Sequence, residues 1–98
     1  MRSYYLNLEF KIVYDERMLH QFKKMEKQAT KRVIVWINSR LISCTNPRLW
    51  GKKLQGSVLG DNWCYRIGDY RLLCNIDDKD KIIFIAGIGH RREIYKQN

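Results

Sequence analysis

The spacing of apolar positions divides the first half of the chain into one strand and two helices. Residues 9–14 (EFKIVY) are β-prone, with Phe10 and Ile12 alternating against Lys11 and Val13. Asp15 then offers an N-cap to a short amphipathic helix over residues 16–25. A second helix is predicted over about residues 28–43, because the length of the pattern favours a helix although the β-branched cluster within it also fits a strand. The predicted apolar faces consist of Leu19, Phe22 and Met25 in the first helix and of Ala29, Val33, Trp36, Ile37 and Leu41 in the second.

The second half of the chain is predicted to be a basic loop followed by three strands. The loop covers residues 46–60, with Leu49, Trp50 and Leu54 as its expected anchors. Gly68-Asp69 suits a tight turn between the first two strands, and residues 77–80 form a polar turn before the third. The expected strands are residues 63–67, 70–76 and 81–88, followed by a polar tail over residues 89–98. The order β-α-α-β-β-β predicts an α+β fold, with two N-terminal helices packed on a four-stranded, mostly antiparallel sheet.

Length and charge restrict the class of protein. Ninety-eight residues form one domain, and the chain carries 19 Lys and Arg against 10 Asp and Glu, a net charge of +9. Such an excess favours a polyanionic partner, although composition does not distinguish nucleic acid from a membrane surface or an acidic protein. No apolar run is long enough to span a bilayer, and the N-terminus lacks the apolar region of a signal peptide. We therefore expect a cytoplasmic protein that does not bind membranes.

The cysteines and carboxylates do not form a metal or disulfide pattern. Cys44, Cys64 and Cys74 are odd in number and lack short paired spacing, so each is expected to be a small buried residue. The sequence has no carboxylate cluster suited to a metal, and we expect no cofactor. His20 is expected on the surface of the first helix.

Two arginines are predicted to face each other in the first hairpin. If Gly68 and Asp69 are the two turn residues, Arg66 lies directly opposite Arg71 on one face of the sheet. Like charges in directly opposed positions are destabilising, and an anion bound between them would offset the repulsion. The alternative is that both side chains extend over apolar neighbours into solvent.

The chain end adds further groups suited to phosphate chemistry. Gly89, His90, Arg91 and Arg92 follow the last strand, with Tyr95 close behind. Taken alone, this pattern fits a solvated charge cluster better, but the end of the third strand is expected near the start of the second, beside Arg71. Arginine binds phosphate in a bidentate manner, histidine titrates near neutrality, and tyrosine stacks on bases or shares a proton. These are the groups that a metal-independent ribonuclease needs.

Residues 63–95 (WCYRIGDYRLLCNIDDKDKIIFIAGIGHRREIY) resemble the C-terminal half of toxins of the RelE/ParE superfamily. GKKLQG at residues 51–56 is similar to the loop that precedes the second strand in that family, and the resemblance extends over about residues 9–95. It leaves residues 1–8 as an N-terminal extension and makes residues 89–98 a catalytic tail. It implies the RelE-like α+β fold, cleavage of mRNA on the ribosome by attack of the 2′-hydroxyl without a metal, and inhibition by a small acidic, RelB-like antitoxin.

The resemblance also implies roles for individual residues. Arg71 and Arg91 match arginines that contact the scissile phosphate, and Tyr95 matches a tyrosine that orients the nucleotide. Arg66 matches the first of two lysines in the family, whereas the second has no counterpart in this tight hairpin. His90, or Lys52 and Lys53 from the preceding loop, are the candidates to replace it, and Arg92 is a further phosphate ligand. The alternatives are a ParE-like inhibitor of DNA gyrase and a basic module without catalytic activity.

Overall fold

The computed structural model describes residues 8–54 and 62–94. Most of the predicted N-terminal extension, part of the loop before the first hairpin, and Tyr95 lie outside the described residues. The elements in chain order are β1 (Lys11–Tyr14), α1 (Arg17–Lys24), α2 (Lys27–Arg40), a 3₁₀ turn (Pro47–Leu49), β2 (Lys52–Lys53), β3 (Asn62–Ile67), β4 (Tyr70–Asp77), β5 (Ile82–His90) and α3 (Arg91–Ile94). None of the helices in these two ranges is both long and apolar enough to cross a bilayer.

The strands form one sheet in the order β1-β5-β4-β3-β2. β1 pairs with β5 in parallel, and the other pairs are antiparallel. The α+β fold predicted from the sequence is confirmed, but the described sheet has five strands rather than four. The additional strand is Lys52–Lys53, which pairs with Cys64 and Trp63 of β3. Two residues are too few to produce an alternating pattern, so this segment was predicted to be loop.

The core lies between α2, α1 and one face of the sheet. Val33 and Ile37 of α2 and its C-cap residue Leu41 are buried as predicted, and Trp36 contacts Tyr65 with ring centroids 5.1 Å apart. We call this face of the sheet the α2 face and the opposite one the outer face. The buried side chains of the core are Phe10, Met18, Val33, Ile37, Leu41, Tyr65, Ile67, Leu72, Cys74, Ile76, Ile83, Ile85 and Ile88.

The core side of α1 differs from the prediction. Met18 is fully buried and Leu19 is 64% exposed, whereas Leu19 was assigned to the apolar face. Met18 and Phe22 have i, i+4 spacing and so lie along one stripe of α1, and Met25, the residue after the helix, also packs against the core. Glu16 rather than Asp15 is the N-cap residue, but the Asp15 carboxylate accepts the backbone N–H of Arg17, the first residue of α1, at 2.9 Å.

Several element ends also differ from the prediction. α2 ends at Arg40 rather than near Ser43, whose φ of +60° is incompatible with a continuing helix. Leu49 is exposed and does not anchor the loop, whereas Trp50 packs against the core. β5 continues to His90, and α3 occupies part of what was predicted as an irregular tail.

Candidate functional site

The β3–β4 hairpin has the predicted register. Ile67 lies opposite Tyr70, and Arg66 lies opposite Arg71. The turn between them begins with Gly68 at a φ of +58°, a left-handed conformation that favours glycine. Because neighbouring residues of a strand point to opposite faces and Ile67 belongs to the core, both arginines lie on the outer face.

The two arginines differ in their surroundings. Arg71 is only 8% exposed, and its Nη1 donates hydrogen bonds of 3.0 Å to the carbonyl oxygens of Gly68 and Tyr70. Arg66 is exposed. The alternative prediction, that both side chains extend into solvent, therefore holds for Arg66 but not for Arg71. The hairpin thus holds one guanidinium in a fixed position and leaves the opposed one in contact with solvent.

A cleft of about 270 Å³ lies over this arginine pair on the outer face. Its lining consists of Gly51, Lys52, Cys64, Arg66 and Arg71, and we call it the arginine cleft. Three of these five residues are cationic and none is acidic. Three positive charges around one small cleft repel each other, and a bound anion would relieve that repulsion.

Gly51 allows the β2 segment to approach β3 closely enough to form the cleft. Its φ is +77°, and a Cβ at this position would collide with the carbonyl oxygen of Cys64. No other residue fits this position without displacing backbone. The pairing that follows places Lys52 opposite Cys64, over the cleft, whereas Lys53 lies opposite Trp63 and therefore on the α2 side.

Burial favours the protonated form of the Cys64 thiol in the cleft. Burial raises the pKa of Cys64, and the opposing influence of Arg71 and Lys52 is smaller. Cys64 and Cys74 are buried as expected, and Cys44 is half-buried. Within residues 8–54 and 62–94, no group of three or more His, Cys, Asp or Glu side chains is placed to hold a metal ion.

Arg91 lies beside the same turn. Its backbone N–H donates to the carbonyl oxygen of Asp69 at 2.8 Å, and its Nε is 3.8 Å from the Asp69 carboxylate. The predicted convergence of Arg91 with Arg71 at one end of the sheet is therefore present. The contact between Arg91 and Asp69 was not predicted, because Asp69 was considered only as a turn residue.

His90 is not part of the arginine cleft. It pairs with Tyr70, on the α2 face, and the two rings make an edge contact with centroids 5.8 Å apart. Its Nδ1 accepts the backbone N–H of Arg92 at 3.2 Å, so the neutral ring carries its proton on Nε2. Arg92 is exposed, and Tyr95 lies outside the described residues. The roles assigned to these three residues stay predictions.

The sequence matches the family model described as "ParE toxin of type II toxin-antitoxin system, parDE" over residues 12–95. No curated protein sequence matches the chain. The fold is similar to that of a chain of the archaeal RelE–RelB complex from Pyrococcus horikoshii OT3. The two chains are 23% identical, with 87% of this chain and 98% of that chain covered and a TM-score of 0.68. A chain of the Mycobacterium tuberculosis toxin–antitoxin complex RelBE2 is 24% identical, with 85% of this chain and 99% of that chain covered and a TM-score of 0.69. The isolated E. coli RelE toxin is 23% identical over 91% and 93% of the two chains, with a TM-score of 0.60.

Proposed function

The chain belongs to the family of ParE toxins of type II toxin–antitoxin systems, and we propose that it acts by cleaving messenger RNA on the ribosome, without a metal. The observation that carries this proposal is the arginine cleft, in which Arg66 and Arg71 are opposed and Lys52 lies beside them. A ribonuclease of this kind needs fixed positive charge around one phosphate, because charge develops there in the transition state.

The proposed reaction uses the nucleophile that RNA itself provides. The 2′-hydroxyl attacks the adjacent phosphorus, the bond to the 5′-oxygen breaks, and the products are a 2′,3′-cyclic phosphate and a 5′-hydroxyl. Arg71 and Arg66 bind the phosphate oxygens in the bidentate geometry that guanidinium favours, and they remain charged throughout. Arg71 is the better positioned of the two, because two backbone carbonyls already hold its Nη1.

One proton must leave the 2′-hydroxyl and another must reach the 5′-oxygen. Of the residues expected to replace the missing family lysine, Lys52 lines the cleft, whereas Lys53 and His90 lie toward the α2 face. We therefore place Lys52 at the leaving oxygen, where an ammonium group supplies a proton or balances the negative charge. Arg91 acts as a second phosphate ligand at the turn, Arg92 as an outer one, and Tyr95 orients the nucleotide, as the family resemblance implies.

We further propose that a small acidic antitoxin is the partner that keeps the toxin inactive. The net charge of +9 favours such a partner. Two of the similar solved structures are complexes of a toxin with its antitoxin. The proposed site of action is the cytoplasm, where ribosomes and mRNA occur.

Inhibition of DNA gyrase is the second candidate function, because the matching family model is described as a ParE toxin. A gyrase inhibitor has no need for opposed arginines with a lysine beside them in one cleft. Retention of that arrangement favours RNA cleavage over gyrase inhibition and over binding without catalysis.

The test is to map RNA 5′ ends in cells that express the chain from an inducible promoter. We expect new 5′ ends within translated regions, and their loss by about 100-fold or more in Arg71→Ala, because removal of one transition-state donor typically costs that much. Lys79→Ala is the matched control: it removes an exposed cation in the turn between β4 and β5, at the far end of the hairpin. Growth arrest with intact mRNA and altered plasmid supercoiling would support gyrase inhibition instead.

A further inference from the structure

A second cavity of about 580 Å³ lies between the C-terminal end of α1 and the ends of β4 and β5. We call it the α1–β5 pocket. Its size is within the range of sites that bind small organic molecules, about 300–1,000 Å³. Its lining includes Gln21, Lys24, Glu26, Leu73, Gly87 and Glu93.

The pocket adjoins the arginine cleft across β4. Leu73 lies two residues after Arg71 on the same strand, so both belong to the outer face, roughly 6.6 Å apart along the strand. Leu73 pairs with Cys64 of the cleft on one side and with Gly87 of the pocket on the other. A nucleotide with its phosphate at Arg71 therefore has the pocket within reach of its base.

Gly87 keeps the pocket open. A Cβ built on Gly87 would meet its nearest neighbours, the Gln21 side-chain amide and Leu73 Cδ1, at 3.9–4.0 Å, which is ordinary van der Waals contact. Neither crowding nor a left-handed φ therefore requires glycine here. The absence of a side chain leaves free volume beside Leu73, on a strand whose other central residues are mostly apolar.

The polar groups of the pocket suit a base rather than a phosphate. Glu26 and Glu93 contribute two carboxylates against the one ammonium group of Lys24, and this excess of negative charge disfavours phosphate. Carboxylates also accept hydrogen bonds from amino groups. Gln21 uses its Oε1 to accept the backbone N–H of Ile88 at 3.0 Å, which leaves its Nε2 to donate. Leu73 offers an apolar surface against which a flat ring packs.

We propose that the α1–β5 pocket binds the base of a nucleotide next to the scissile phosphate and selects against uracil there. The inference rests on the proposed RNA cleavage. Adenine, cytosine and guanine each present an exocyclic amino group to a carboxylate, whereas the pairing edge of uracil has a single N3–H between two carbonyl oxygens that a carboxylate repels. Glu26 and Glu93 are the residues that would make this distinction.

The experiment is to map cleavage sites in cells for the unchanged protein and two pocket variants. Gly87→Val fills the pocket, and Glu26→Gln replaces a carboxylate by an amide that also donates to carbonyl oxygens. The Glu26 side chain makes no capping hydrogen bond at the start of α2, so Glu26→Gln is expected to fold normally. The Lys79→Ala variant serves as the control, and thermal unfolding checks the fold of all variants.

We expect uridine to be depleted at one fixed position beside the cut in the unchanged protein. In Glu26→Gln this depletion should fall by about fivefold, the effect of one modest hydrogen bond. Gly87→Val should lower total cleavage at least tenfold, and the remaining cleavage should show no base preference. A base profile that is the same in all three proteins, or without uridine depletion in the unchanged one, overturns the pocket assignment while cleavage itself persists. Absence of any cleavage overturns the proposed function and the pocket assignment together.

Discussion

The backbone N–H of Arg91 donates a hydrogen bond of 2.8 Å to the carbonyl oxygen of Asp69 and so fixes the start of α3 to the β3–β4 turn. The neighbouring carbonyl, that of Gly68, accepts from Nη1 of Arg71 at 3.0 Å. The Asp69 carboxylate adds little, because it lies 3.8 Å from Arg91 Nε and both side chains are largely exposed. The backbone of one two-residue turn therefore positions both arginines that we place at the phosphate.

Substitution of Gly68 should impair cleavage in proportion to backbone strain. Gly68→Asn should retain most activity, because asparagine tolerates the left-handed φ of +58°. Gly68→Val should lose about 1–2 kcal/mol of stability and at least tenfold in cleavage. Crowding is not the reason, since the nearest atom to a Cβ at this position would be Arg32 Nη1 at 3.5 Å. Urea unfolding and the yield of cleaved mRNA measure the two effects, and equal results for asparagine and valine would contradict this role of the turn.

Tyr65→Phe should destabilise the fold without changing the arginine cleft. The Tyr65 hydroxyl is fully buried and donates to the carbonyl oxygen of Pro47 at 2.5 Å. Burial raises the pKa of this hydroxyl, so it remains a donor. Its removal leaves a buried acceptor unsatisfied, which costs about 1–3 kcal/mol. Tyr70→Phe is the control, since the Tyr70 ring is only half-buried, and should change the free energy of unfolding by less than about 0.5 kcal/mol.

Asp15→Asn should remove a stabilising effect that is present only above acidic pH. Hydrogen bonds from the Arg17 side chain and backbone N–H lower the pKa of Asp15 to about 2. Because the folded pKa lies below the unfolded value of about 3.9, the contribution is complete above pH ~5 and disappears as pH falls through 2. Melting temperatures of the two proteins should therefore differ at pH 6 and converge near pH 2. A constant difference over that range would contradict the assignment.

The hairpin was predictable because its determinants are local. Gly68-Asp69 specifies the turn, and the turn fixes the register that opposes Arg66 to Arg71. The core face of α2 was predictable for a similar reason, since Val33, Ile37 and the C-cap residue Leu41 repeat at helical spacing over more than two turns. In α1, only eight residues long, Leu19 and Met18 fit the pattern nearly equally, and only the tertiary packing selects Met18.

The features that depend on contacts distant in sequence were not predictable. β2 exists because Gly51 lies against β3, and no pattern within two lysines reveals it. His90 was grouped with Arg71 because the two are close in the sheet, but their pairing partners place them on opposite faces. The hydrogen bond between Gln21 and the backbone of Ile88 joins residues 67 positions apart. It satisfies a backbone N–H in the part of β5 that does not pair with β1.

Arg66→Ala should have opposite effects on stability and on activity, which a purely structural arginine would not show. Without an anion, removal of one of two opposed cations should stabilise the fold by roughly 0.2–1 kcal/mol. Inorganic phosphate stabilises a folded state that binds it, so it should raise the melting temperature of the unchanged protein more than that of Arg66→Ala at matched ionic strength. Cleavage should fall about tenfold in the variant, whereas Lys79→Ala should retain both the phosphate response and the activity. If Arg66→Ala lowers the melting temperature and responds to phosphate like the unchanged protein, the opposed pair is not a phosphate site, and the main support for RNA cleavage over gyrase inhibition is lost.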